Sequence, residues 1–114
     1  MSPLEAAWLS VSTRLPIEFE AFSYAVELWD LHPVLVQGEI AGALLTNGAN
    51  IHACILPEYK GRWLTRKELR VLNQIIENYG YAQTSATTLD GEYFVKRLGF
   101  VKHGEVYRKE RKWA

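Results

Sequence analysis

The sequence predicts an α+β fold, a central mixed β-sheet flanked by helices. Two turn signals, Gln37-Gly38 and Asn47-Gly48, separate short apolar runs and so predict antiparallel hairpins. Downstream, a strand, a long amphipathic helix and another strand succeed one another, the pattern of a parallel crossover. With 114 residues, 48% hydrophobic and 23% charged, residues 1–114 have the length and composition of one folded domain. A chain of this size buries roughly two-thirds of its unfolded surface, enough for one core without covalent staples.

The elements follow in order. Residues 1–15 fit either an edge strand over 5–11 or an irregular arm. Pro16 suits a helix start, and Phe19, Phe22, Ala25, Val26 and Trp29 recur at helical spacing. That helix should end near Asp30, because His32 precedes Pro33 and is held extended. Residues 34–36 and 39–45 read as two strands meeting at Gln37-Gly38. Residues 51–56 are apolar at nearly every position except His52, as a central strand would be, and Pro57 ends its pairing.

Thr65 and Glu68 then form a Thr-x-x-Glu capping box at the start of the best-defined helix. Leu69, Leu72, Ile75, Ile76 and Tyr79 supply its apolar face, and Gly80 suits a left-handed stop. Residues 81–86 read as a strand, and Asp90 can cap a short helix running to Leu98 and stopped by Gly99. Strands over 101–103 and 106–109, separated by Gly104, close the chain.

Composition excludes several classes. Thirteen Lys plus Arg balance thirteen Asp plus Glu, so no global field points to nucleic acid or a membrane surface. Cys54 is the sole cysteine, which rules out an intrachain disulfide, and no His/Cys/Asp/Glu group has metal-ligand spacing. No apolar run approaches the roughly 18 residues of a membrane span. The start MSPLEAAWLSVSTR lacks a basic segment followed by an apolar run, so no signal peptide is expected and the expected compartment is cytoplasmic. Arg108, Lys109, Arg111, Lys112 and Trp113 read as a solvated end strand rather than a nucleic-acid contact. Four Trp and six Tyr in so short a chain allow an aromatic self-association surface, hence a homodimer.

Chemistry concentrates between His52 and Arg70. Five of the thirteen basic residues, Lys60, Arg62, Arg66, Lys67 and Arg70, fall in eleven positions at one helix start. A helix N-terminus already carries unpaired N–H groups and partial positive charge, so extra cations there cost about 0.3–1 kcal/mol each when exposed. A bound anion reverses that penalty, which makes the segment a candidate phosphate site.

The run Ile51-His52-Ala53-Cys54-Ile55-Leu56-Pro57-Glu58-Tyr59-Lys60-Gly61-Arg62 resembles the GNAT superfamily of N-acetyltransferases. That family's signature is a central strand ending in an apolar-x-Pro step, then Arg/Gln-x-x-Gly-x-Gly/Ala opening the main helix. Phe94-Val95-Lys96-Arg97-Leu98-Gly99-Phe100 is similar to its Tyr-Glu-Lys-Leu-Gly-Phe ending, and Gly38-Glu39-Ile40-Ala41-Gly42 to its hairpin. The likeness spans roughly residues 16–107 and extends to compact phage-encoded members with a Gly-Arg-Trp loop. It implies transfer of an acetyl group from acetyl-CoA to a small-molecule or protein amine, in a host cytoplasm or a virion if phage-encoded.

It also implies roles for residues. Lys60 takes the Arg/Gln place, and Gly61, Arg62, Trp63, Leu64, Thr65 and Arg66 follow around the pyrophosphate. Ile55 and Leu56 offer backbone groups to the pantetheine arm. His52 occupies a strand position used for the catalytic base, and an ordinary imidazole pKa of ~6.5 suits that task. The chain departs from the pattern at four positions. Trp63 replaces the first loop Gly, Thr65 a Gly or Ala, Val95 the Tyr acid, and Thr88 an Asn. Either the loop is reshaped or Trp63 turns into the core. These departures are what a catalytically inactive fold of the same shape, used in a virion, in assembly or in regulation, would also carry.

Overall fold

The computed structural model describes residues 1–86 and 88–112. The first element corrects the reading of residues 1–15 as a strand or arm. Ser2 and Glu5 form a capping box, each side chain accepting the other's amide at 3.1 and 3.2 Å, and start helix α1 (Pro3–Ser12). Ala6 and Ala7 are fully buried, so small side chains let this helix lie close to the sheet. Helix α2 (Phe19–Ala25) is shorter than its apolar spacing suggests, because Asp30 already opens the first strand.

The sheet begins with β1 (Asp30–Val36), β2 (Glu39–Asn47) and β3 (Asn50–Ile55), joined as antiparallel hairpins. A 3-10 turn over Pro57–Tyr59 leads to α3 (Arg66–Tyr79), which Gly80 ends at φ 83°. Then come β4 (Tyr81–Thr84), α4 (Leu89–Arg97), β5 (Val101–His103) and β6 (Val106–Glu110). Helix α4 is capped by Thr88, whose hydroxyl accepts the Gly91 amide at 3.0 Å; Asp90 lies inside the helix. The strand order is β1-β2-β3-β4-β6-β5, and the β3–β4 pair is parallel. Of the basic C-terminal run, Trp113 lies outside the described residues. Among the described residues, no helix is long and apolar enough to cross a membrane.

Helices cover both faces. On one, α1 and α2 meet Ala43, Leu45 and Cys54 around Phe22. On the other, α3 packs Leu72, Ile75 and Ile76 against Leu44 and Ile51, with Trp63 and Phe100 in the same core. Gly42 makes this two-sided packing possible. Its φ of 150° and the register shift opposite Val34/Leu35 form a bulge that leaves Ala41 without a partner on β1. Ala41 thereby joins Leu44 on the α3 side while Ala43 and Leu45 face α1. A Cβ on Gly42 would sit 2.0 Å from the Cys54 carbonyl oxygen, which is backbone and cannot swing aside.

Gly42→Ala should therefore destabilise the fold by more than about 2 kcal/mol in urea denaturation. Gly38→Ala, where no atom lies within 4 Å of the added carbon, carries backbone strain alone and should lose less. Equal losses at the two positions would contradict this packing.

Candidate functional site

Strands β3 and β4 share a single rung. Asn50 pairs with Gln83, whose amide donates to the Ala49 carbonyl at 2.8 Å, and the two strands then separate. β3 stays with β2, to which Leu56 still donates at the Ala41 carbonyl (2.8 Å), while β4 stays with β6. In a strand, successive backbone groups point to opposite sides. Since Ala49 faces β4 and Leu56 faces β2, the N–H and C=O groups of Ala53 and Ile55 face the gap. Ala53 is exposed although its strand lies in the middle of the sheet order.

The gap opens into two cavities that share Arg14, Ala53, Thr88, Gly91 and Phe94. One, of about 390 Å³, lies toward α2, where His52 and Trp29 meet Thr84 and Ser85. The other, of about 370 Å³, runs past Ile55 and Pro57 to Lys60, with Trp63 and Asp90 on its wall. Both volumes are in the range of about 300–1,000 Å³ typical of small-molecule sites.

The His52 ring packs against Trp29, tilted by 42° with 5.4 Å between centroids, and burial lowers its pKa below the ordinary 6.5. It is therefore uncharged at neutral pH and able to take a proton. Cys54 points to the same face, but burial pushes its thiol up to about 11, outweighing the nearby Arg14 charge and the Ser10 hydrogen bond. It remains a protonated thiol, a core side chain rather than a nucleophile.

The loop before α3 carries the other sequence candidates. Its 3-10 turn directs the amides of Lys60 and Arg62 inward, to the carbonyls of Pro57 (3.2 Å) and Tyr59 (3.1 Å). The Arg62 guanidinium folds back to the Glu58 carbonyl (2.9 Å) and over the Tyr59 ring. Tyr59 ties the turn to β2 by donating to Glu39 at 2.9 Å, a bond that raises its own pKa. Gly61, at φ 80°, reverses the chain. Trp63 turns into the core, 7% exposed and 5.4 Å from Phe94, while Leu64 packs partly buried beside it. At the helix start, the Thr65 amide and hydroxyl both donate to one oxygen of buried Glu68, at 2.9 and 2.8 Å. Arg66, Lys67 and Arg70 remain exposed on the first turns.

The cleft thus gathers His52, Ile55 and Lys60 along one trough, with Trp63 in its wall. Leu56 instead uses its donor within the sheet, and Val95 contributes no hydroxyl to the lining. Two residues without a sequence signal join the site. Ala53 is exposed only because the strands part, and Ser85 is exposed on the opposite wall. Among the described residues, no group of three or more His, Cys, Asp or Glu side chains could hold a metal ion. No protein-family model, curated protein or solved structure matches this chain.

Two measurements check this chemistry. Native Cys54 should react with iodoacetamide at pH 8 about 100-fold or more slower than the urea-unfolded chain, from its thiolate fraction alone. His52 should titrate below 6.5 in a proton NMR series. Between pH ~6.5 and that lower value the unfolded chain takes up a proton that the folded chain refuses, so stability falls as pH drops through this window. His52→Gln should flatten that part of the stability profile, and an unchanged slope would contradict the assignment.

Proposed function

We propose that the chain is an acetyl-CoA-dependent N-acetyltransferase of the GNAT type, with the cleft between β3 and β4 as its active site. One observation carries the reading: Ala53 and Ile55 present a bare strand edge inside the sheet, between a neutral imidazole and a basic helix start. The hairpins, the single parallel pair and the crossover helix support the same reading.

Acetyl-CoA supplies an activated acyl thioester on an arm containing amides. Ala53 and Ile55 have the unpaired backbone groups to bind those amides as an added strand would. Lys60 lines the basic end, while Gly61, Trp63 and Leu64 have amides with no protein acceptor among the described hydrogen bonds, so these residues hold the diphosphate. Arg62 and Arg66 add exposed positive charge around it. His52 takes the proton that the amine loses as its nitrogen bonds the acyl carbon. Ser85 and the water around it provide the proton that the departing sulfur needs when the C–S bond breaks, in place of a tyrosine at position 95.

A second reading, a non-catalytic scaffold of the same shape, draws on the helix start. There the Lys60 and Arg62 amides are already bonded, and the Glu68 carboxylate holds the Thr65 amide. Calorimetry with acetyl-CoA separates the two. The transferase reading expects a dissociation constant on the order of micromolar, weakened about tenfold by Ala53→Leu, which fills the cleft, and also weakened by Lys60→Glu. Heat indistinguishable from buffer would leave the scaffold. In the active protein, His52→Gln should lower kcat at neutral pH and remove an acidic limb centred below 6.5.

A further inference from the structure

We propose that the cavity against α2 is the acceptor site for a primary amine carried on a single apolar or aromatic body, and that it rejects polyamines. The chemistry of transfer rests on the transferase reading above; the binding preference stands on the cavity itself. Its wall toward α2 is Phe22, Val26 and Trp29, and its polar lining is His52, the hydroxyls of Thr84, Ser85 and Thr88, and the cationic Arg14, which itself disfavours further positive charge. Among the described residues, none of those lining it is an Asp or Glu.

The acidic side chains of α2 and the turn after it are on another surface. Glu20 and Glu27 line a separate shallow groove with Phe19, Ser23 and Tyr24. Helix α2 therefore turns its apolar side to the cavity and its carboxylates away from it. A polyamine entering the cavity would desolvate several ammonium groups with no carboxylate to meet them, and each such charge is expensive to bury unpaired. A monoamine meets that penalty once at most, and not at all after its single nitrogen has lost its proton. Its one nitrogen reaches the neutral His52, its body packs on Phe22 and Val26, and the Trp29 face attracts the ammonium form on the way in. A volume of about 390 Å³ leaves room for a ring and a short chain.

The test needs no cofactor. The full chain is titrated with 2-phenylethylamine and, separately, with spermidine while backbone amide resonances are followed by NMR. Phenylethylamine should saturate shifts at Val26, Trp29 and His52, and spermidine should bind there at least about tenfold more weakly. Ala25→Asp adds a carboxylate at an exposed position on the cavity rim, so folding is not at issue, and it should narrow that gap. Spermidine binding as tightly as phenylethylamine in the unmodified chain would overturn the proposal, as would phenylethylamine shifts absent from these residues. If acetyl-CoA fails to bind but the amine preference holds, the transferase reading falls while the cavity assignment stands.

Discussion

Everything in this fold depends on two neighbouring parallel strands being held together by one rung and no more. β3 is drawn along β2 through six paired positions, and β4 along β6 through four. On the α3 side of the gap Trp63 and Phe94 pack with their rings tilted by 44° and 5.4 Å apart, placing aromatic bulk in the core beside the separated strands. A bare strand edge on the outside of a protein invites another chain to pair with it. Inside a cleft the same edge is shielded from other sheets yet open to an extended ligand. The hydrogen-bonding capacity that Ala53 and Ile55 do not spend within the sheet is left facing the cleft.

The helix start shows two requirements in competition. Folding needs the first amides of α3 satisfied, and Glu68 does this from within the helix, its carboxylate buried against Thr65. A bound anion would need the same region open and positive, and exposed Arg66, Lys67 and Arg70 place charge there. Trp63 turns inward to Phe94, which takes its bulk off the loop's outer side and ties the loop to α4.

What the sequence made legible was local. The Thr65/Glu68 box, the Gly80 stop and both hairpin turns involve residues within a few positions of one another, and each forms as its chemistry requires. The same kind of box at Ser2 and Glu5 starts a helix whose Leu4, Ala7, Trp8 and Val11 recur at i, i+3, i+4 and i+7, an apolar stripe that a strand or irregular arm over these residues leaves out of account. That stripe, together with the fully buried Ala6 and Ala7, seats the helix on the sheet. Thr88 rather than Asp90 caps α4, since either residue type could serve and it is the Thr88 hydroxyl that meets the Gly91 amide. Within the site, His52, Ile55 and Lys60 were visible from strand parity and charge. Ala53 and Ser85 were not, because their importance comes from strands parting, which rests on contacts distant in sequence.

The alternation of β3 then divides the labour of the cleft. Odd positions turn their backbone to the gap, and even positions turn His52 and Cys54 toward α1 and α2, where one is left with a ring able to take a proton and the other is silenced by burial. A slip of one residue in the pairing with β2 would exchange these roles, pointing the imidazole at α3 and closing the recognition edge against β2. In the observed register the bulge at Gly42 lies against the Cys54 carbonyl, with no room there for a side chain. The same glycine that lets β2 serve two cores therefore also sits where β2 meets the strand that carries His52 and Cys54.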